Sequence, residues 1–260
     1  MNICVCVKRV PDTESRLRLA PDRKSVSEDG LNFILSPYDE YAVEEALRLR
    51  EATGGSVRVL TVGREDAVPL LRKTLAMGAD EAVLVKDEAG ETYDGLRTAR
   101  IIAAAIAKKF PGFDLVLFGR QSAGADNAQV PSMVAELLGI PQVNIVTKLA
   151  IEGGRGTAVR EVEGGCEKVA FSLPAVLSAQ KGLNEPRYET LKGIMAAKRK
   201  EIPVVPVAEL GLPSEALVPA IEVAGIDFPA ERKAGRLLTG DPAETARELA
   251  RLLHEEAKAV

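Results

Sequence analysis

Residues 113–139 read FDLVLFGRQSAGADNAQVPSMVAELLG, and the order of residue types within them decides the fold. An apolar run of strand character, Leu115 to Phe118, stops at Gly119. A loop of small and polar residues follows, Arg120 to Asp126, and then a helical pattern begins. Strand, small-residue loop and helix start together form the usual anion site of an open α/β sheet, because the free N–H groups of a helix start face a phosphate. Gly119 and Gly124 permit close backbone approach, and Arg120 offers charge-assisted donors. Asp126, Asn127 or Gln129 can cap the helix or bond the polar groups of an adenosine. If Asn127 is the cap, Pro131 falls at the fourth helical position and removes a backbone bond; if the helix starts at Pro131, residues 126–130 belong to the loop. An ordinary βα loop with a capped helix would use the same residues.

Strands alternate with helices on the N-terminal side of this stretch. NICVCVK (2–8) reads as a buried strand, and residues 9–35 are less regular, with turn signals at Pro11-Asp12, Pro21-Asp22 and Asp29-Gly30. Ser36 is placed as an N-cap, Pro37 at the first helical position and Asp39 and Glu40 in the first turn. Ala42, Val43, Ala46, Leu47 and Leu49 form that helix's apolar face, and Gly54-Gly55 end it. VRVLTVG (57–63) and EAVLVK (81–86) are strands, and helices run from about Asp66 to Met77 and over residues 92–110. Such alternation predicts parallel βαβ units, that is, a doubly wound, mostly parallel, three-layer Rossmann-like sheet of the α/β class. Residues 1–182 form this nucleotide-binding core.

From about residue 143 the character changes. VTKLAIEGG, GTAVREVEGG, EKVAFSL and AVLSAQ are strand-like and divided by Gly-rich turns at 153–156 and 164–165, so an antiparallel patch attached to the main sheet is expected. Within 183–202, Leu183 to Tyr188 makes a turn, and Leu191, Ile194 and Met195 carry helical spacing beside Lys192, Lys198, Arg199 and Lys200. That pattern fits an exposed docking knob or a surface helix tucking Leu191 into its own core. Residues 203–240 carry five prolines with little periodicity, an extended linker or an arm lying on something else. A final helix opens with Asp241 as N-cap, Pro242 and Glu244, and carries one apolar stripe of Ala246, Leu249, Ala250 and Leu253.

Composition narrows the function. The 260 residues are 46% hydrophobic, enough for one large core, and the net charge of −4 argues against nucleic acid or an anionic membrane as main partner. The longest apolar run, Ile101 to Ala107, is too short to span a bilayer, and nothing before the first strand resembles an export signal. Cys4, Cys6 and Cys166 are too few and badly spaced for a disulfide framework or a zinc site, which fits a reducing cytoplasm. The single histidine, His254, lies among Glu255, Glu256 and Arg251 on the last helix, so His-dependent hydrolysis and His-ligated metal chemistry lose their key residue. There is no GxGxxG after the first strand and no Walker motif. Glu44 and Glu45 lie on a helix with basic neighbours and are expected at the surface. Nucleotide binding without catalysis remains.

At these residues the sequence resembles the β subunit of electron transfer flavoproteins, over essentially its full length. The motifs are VKRVPD (7–12), SPYDEYAVEEALRL (36–49), TLAMGAD (74–80), DLVLFGRQSAGADNAQV (114–130), VREVEGG (159–165), LPAVLSA (173–179) and LNEPRYETLKGIMAAKRK (183–200). The resemblance implies a heterodimer with an α subunit, an FAD held mainly by that partner, and a structural AMP in this subunit. It implies AMP contacts from Cys6, from Ser36, Pro37, Tyr38 and Asp39, from Val62, and from Gly119, Arg120, Gln121, Ser122, Ala123, Gly124, Ala125, Asp126, Asn127, Ala128, Gln129 and Val130, with Tyr38 approaching the FAD ring. It further implies docking of acyl-CoA and other flavin dehydrogenases through Pro186, Arg187, Tyr188, Ile194 and Met195 around an anchoring Leu191, onward transfer to a quinone oxidoreductase in fatty acid oxidation, and packing of residues 203–260 on the partner subunit. No side chain of this chain would make or break a bond.

One departure bears on the ligand. Members that bind AMP resemble DxNQT where this chain has Asp126-Asn127-Ala128-Gln129-Val130, whereas electron-bifurcating relatives, which carry a second FAD in place of AMP, resemble DTAQV. The helix start SPYDEYAVEEA resembles the first group and the AQV run the second, so both ligands stay open. An ATP-splitting enzyme of the related α/β type would carry an SGG-type loop after the first strand, where this chain has KRVPDT (8–13).

Overall fold

The chain begins in the middle of its own sheet. In the computed structural model, which describes residues 1–89, 93–230 and 234–259, β1 (Asn2–Cys6) lies between two later parallel strands. Ile3 and Val5 point to one face and Cys4 and Cys6 to the other, all 4% exposed or less, which is the signature of a strand covered on both sides. Next come a short hairpin of β2 (Arg9–Pro11) and β3 (Phe33–Leu35), helix α1 (Pro37–Thr53), β4 (Ser56–Gly63), α2 (Val68–Met77) and β5 (Glu81–Lys86). Then follow α3 (Gly95–Lys109), β6 (Leu115–Gly119), α4 (Val130–Leu138), β7 (Gln142–Glu152), β8 (Arg155–Val162), β9 (Gly165–Ser172) and β10 (Ala175–Ala179). The series closes with α5 (Leu191–Arg199), β11 (Val204–Pro206), α6 (Ser214–Leu217) and α7 (Pro242–Glu255).

Among the described residues the main sheet has nine strands in the order β11-β5-β4-β1-β6-β10-β7-β8-β9, parallel from β11 through β7. Helices cover both faces. Ile3 and Val5 pack with Ala42, Val43, Ala46 and Leu47 of α1 and Leu71 and Leu75 of α2. Cys4 and Cys6 pack with Ile101, Ile102 and Ile106 of α3 and Val134 of α4. This is the expected three-layer α/β fold. Each fully buried leucine in such a layer contributes roughly 1.5–3 kcal/mol. The order runs outward from β1 through β4 and β5 on one side and through β6 on the other, so crossovers reverse between β1 and β6 and leave a crevice at their carboxyl ends.

The helix ends follow local chemistry. Asp94 caps α3 by accepting from the N–H groups of Leu96 (2.9 Å) and Arg97 (3.1 Å), and Asp241 caps α7 by accepting from Ala243 (2.9 Å). Ser36 precedes α1 as expected but does not cap it: its hydroxyl donates to the Gln121 carbonyl across the crevice, at 3.5 Å. The expected helix over 92–110 opens at Gly95, and Thr92 lies outside the described residues, as do residues 231–233 of the Pro-rich stretch.

The antiparallel patch is a meander of β7, β8 and β9. The run AVLSA departs from that expectation, because β10 is fully buried and pairs in parallel with both β6 and β7. Its lack of alternation is what burial on both faces requires. Strand β7 pairs with β10 at its start and with β8 further on, and Ile145, at φ 62°, sits at the bulge between them with its N–H bonded to Ser178 Oγ. The unit Met1–Gly225 holds the whole sheet, and β11 adds to its edge against β5. The unit Ile226–Val260 contains α7, whose Glu248 and Glu255 bond Arg251 along one face. No helix among the described residues is long and apolar enough to cross a membrane.

Gly156 on β8 faces Phe171 on β9, and a Cβ added there would lie 2.1 Å from the ring. Gly156→Ala is expected to lower unfolding stability by about 1–3 kcal/mol, and Phe171→Leu in the same chain should recover part of that loss. Urea denaturation of the two variants checks it.

Candidate functional site

A cavity of about 210 Å³ occupies the crevice at the carboxyl ends of β1, β4 and β6. Cys6, Val62 and Phe118, the last or near-last residues of those strands, form an apolar floor. The thiol of Cys6 is pushed well up by burial, then by its neighbour Cys4 and by Asp39, so it stays a protonated wall group and not a nucleophile. Glycine at 119 is required by a close approach, although not that of a ligand. A Cβ there would stand 2.4 Å from Asp39 Oδ1 and 2.6 Å from the Tyr38 carbonyl carbon, so Gly119 lets the first turn of α1 press onto the end of β6.

Asp39 fastens that contact. Its Oδ2 accepts from the Lys8 N–H at 2.7 Å and its Oδ1 from the Gly119 N–H at 3.0 Å, tying the end of β1 to the end of β6 through α1. Burial pushes the carboxyl up to about 7, against the two N–H donors and Lys8, which hold it down.

The loop after β6 is folded on itself. Gln121 Nε2 donates to Asp126 Oδ1 at 2.8 Å, Asp126 N–H donates to the Ser122 carbonyl, and Gly124, Asp126 and Ala128 hold φ values of 94°, 52° and 51°. Left-handed backbone at Asp126 and Ala128 is uncommon and costs on the order of 1 kcal/mol each, a strain typical of ligand loops. Helix α4 opens at Val130, with Gln129 before it and Pro131 in its first turn, so residues 126–129 belong to the loop. Of the residues the sequence singles out, Cys6, Asp39, Val62, Gly119, Gln121, Ser122, Ala125, Asn127, Ala128, Gln129 and Val130 line the cavity. Arg120, Ala123, Gly124 and Asp126 lie in the same loop outside that lining, and Ser36, Pro37 and Tyr38 lie behind Gly119 at the start of α1. Arg120 Nε is buried without a partner.

The rim was not foreseen. Arg9 and Arg64 alternate with Glu28 and Asp66 in a four-member ion-pair cluster, with Arg64–Glu28 at 2.6 Å, Arg64–Asp66 at 3.2 Å and Arg9–Asp66 at 3.3 Å. The Arg9 guanidinium also lies 3.2 Å over the Phe33 ring. Deeper in, Asp87 takes the buried Arg97 guanidinium at 3.0 Å. Lys8 and Arg9 lie within three residues of the end of β1, Arg64 and Asp66 within three of β4, and Asp87 directly after β5, so the rule that ligands sit beyond the carboxyl ends of strands points to them. Among the described residues no group of three His, Cys, Asp or Glu could hold a metal ion. The residues present fit an adenine nucleotide: an apolar floor for a base, carboxylates on the rim, and a strained loop at a helix start for a phosphate.

A second feature lies on the far side of α1. Tyr188 is 94% exposed, Leu191 79% and Met195 51%, so Leu191 is not tucked into its own core, while Ile194 packs inward and Pro186 is half-buried. Glu44 and Glu45, expected at the surface, are buried at 2% and 8% exposure. The segment 184–187 lies over them: Arg187 Nε bonds Glu44 at 2.8 Å and Asn184 Nδ2 bonds Glu45 at 2.9 Å. Their partners are about 140 residues away in sequence, which is why helical periodicity alone misplaces them.

Comparison with known proteins agrees with this architecture. The model of the electron transfer flavoprotein domain matches residues 24–210. The electron transfer flavoprotein subunit beta of Bacillus subtilis is 41% identical over 262 residues, covering 100% of each chain. That of Syntrophomonas wolfei is 37% identical, covering 99% of this chain and 98% of the relative. That of Mycobacterium tuberculosis is 42% identical, covering 82% of each.

The Asp39 carboxyl, raised from an ordinary 3.8 to about 7, favours the folded state when protonated. Its contribution is therefore full below about pH 4 and lost as pH rises to about 7, on the order of 4 kcal/mol. Asp39→Asn should flatten the fall in urea midpoint between pH 4.5 and 7.5 relative to the unsubstituted protein. Equal slopes in the two proteins would show that Asp39 does not titrate there.

Proposed function

The chain belongs to the electron transfer flavoprotein family, among relatives named as its β subunit, and from that premise we propose that it pairs with an α subunit as a cytoplasmic electron carrier. It holds a structural AMP in the crevice between β1 and β6 and helps wall the FAD of the α subunit through Tyr38. FAD, when bound, supplies the electron-transfer chemistry. Electrons arrive from flavin dehydrogenases such as acyl-CoA dehydrogenases, docked around Leu191, and leave to a quinone reductase in fatty acid oxidation. The expected packing of residues 203–260 on the α subunit is narrowed by β11 and α6, which belong to this chain's own core; residues 226–260 are the part that packs on the α subunit.

The observation that carries the nucleotide part is the cavity itself, at the sheet's switch point, with the loop 121–130 and the start of α4 in its wall. In this reading the α4 start and the strained backbone at Ala128 take the phosphate, and Cys6, Val62 and Phe118 take a face of the base. Rim carboxylates take sugar hydroxyls. Asp39, Lys8 and Gly119 hold the strand ends in register, so the site orients its ligand and moves no proton to or from it.

A second reading keeps the same crevice for a second FAD in a bifurcating carrier. Ala128, Gln129 and Val130, where the two kinds of member part company, all line the cavity. Co-expression with the α subunit, followed by release and quantification of bound nucleotides, separates the readings. One FAD and one AMP per heterodimer is the expected result. Two FAD and no AMP would replace it with the second reading, and no adenine nucleotide beyond one FAD would end both.

The exposure of Leu191 supports the docking part. Leu191→Ala is expected to slow flavin reduction by an acyl-CoA dehydrogenase by the equivalent of about 2 kcal/mol, with FAD content and heterodimer assembly unchanged. Stopped-flow reduction of the two heterodimers measures it, and equal rates would remove the docking role.

A further inference from the structure

Glu44 is a buried carboxylate that the nucleotide crevice does not use. Its side chain accepts Arg187 Nε at 2.8 Å, the Arg187 N–H at 3.1 Å and Arg48 Nε at 2.7 Å. The other edge of the same guanidinium reaches Glu51, at 2.5 Å and 3.1 Å. Two acids two turns apart on α1 thus grip one arginine of the segment that leads into α5. Beside them Asn184 Nδ2 donates to Glu45 and to the Tyr41 carbonyl.

The far end of α5 is held as firmly. Arg72 Nη1 donates to the carbonyls of Ala197 and Lys200, and Lys200 Nζ donates to those of Ala79 and Asp80. At the near end Thr190 Oγ1 caps the helix by accepting from Gly193 N–H at 3.0 Å. Gly193 lies so close to α2 that a Cβ there would stand 2.2 Å from the Ala76 carbonyl oxygen. A nine-residue helix has little stability of its own, so this geometry comes from its fastenings. Between the fastenings, Tyr188, Leu191 and Met195 stand exposed.

An unfastened segment would lose its conformational freedom on docking, at a cost of about 0.5–1.5 kcal/mol for each side chain immobilised. We infer that Glu44 is a positioning residue for docking: through Arg187 it holds the segment 184–190 on α1 and so presents Leu191 and Met195 preformed to an electron-donating flavoprotein. Glu44 is too buried to touch a partner, so its effect reaches the partner only through Arg187. Burial works to raise the Glu44 carboxyl, and Arg187 and Arg48 overcome it and hold the group ionised below its ordinary range. The inference rests on the docking reading above.

The test uses the heterodimer with an acyl-CoA dehydrogenase of the same organism and its acyl-CoA as electron source. Glu44→Gln is expected to raise the KM for the heterodimer about tenfold, with kcat within about twofold and FAD content unchanged. Amide exchange should quicken over residues 184–199 and stay as it was over β1 and β6. Added to Leu191→Ala, Glu44→Gln should raise KM by much less than its own tenfold, because only Met195 is left for it to present. An unchanged KM beside an impaired Leu191→Ala overturns the inference, and so does a full additional loss in the double variant. An unimpaired Leu191→Ala overturns the docking reading and this inference with it. If Glu44→Gln does not assemble, Glu51→Gln, an exposed change at the same guanidinium, is expected to raise KM about threefold and is read by the same outcomes.

Discussion

The carboxylate of Asp39 is the fastening on which the crevice depends. Parallel strands beside a topological switch point have no hairpin to hold their ends together, and the crossover helices leave in opposite directions. Asp39 joins them by accepting one N–H from beyond β1 and one from the end of β6, while its own backbone begins α1. Removing either bond would leave a buried N–H without a partner, at a cost of about 1–3 kcal/mol. Gly119 is the steric half of the same arrangement, since only hydrogen fits in the space where the α1 backbone passes. The apolar floor, the loop 121–130 and the ion-paired rim are all placed relative to this junction.

Helix α1 therefore has two tasks along its 17 residues. Its first turn closes the nucleotide crevice, and its middle turns fasten the segment that carries α5. Glu44 and Glu45 are buried for the second task, each answered by a donor from that segment. Burying one carboxylate without a partner costs far more than an exposed ion pair returns, so the two acids and the 184–187 segment must be placed together. The apolar face toward the sheet and the acidic face toward the segment leave α1 few exposed positions.

The groups in the crevice are satisfied by one another: Arg9 and Arg64 by Glu28 and Asp66, Arg97 by Asp87. The Cys6 thiol is held protonated by burial. Such a site can select and orient a ligand at low reorganisation cost, as the proposed nucleotide role requires.

Periodicity within short windows was enough to read the alternation of strands and helices, the cap at Asp241, Pro37 at the first position of α1, the loop after β6 and the turn-divided meander. These depend on residues within a few positions of each other, and their physics is local. The same windows misread AVLSA as part of the antiparallel patch, because a short apolar run does not reveal its neighbours, and β10 pairs in parallel on both sides. They placed Glu44 and Glu45 at the surface because the donors that bury them come from Asn184 and Arg187. They assigned Ser36 a cap where its hydroxyl instead crosses to Gln121, and they missed the rim, whose arginines and acids converge from three separate segments. The sequence by itself determined most of the segments that become strands and helices, but not β2, β3, β11 or α6, and the strand–loop–helix junction that lines the crevice after β6. Which carboxylate meets which distant N–H or guanidinium was decided only by the tertiary structure, because buried charge is settled by partners far along the chain.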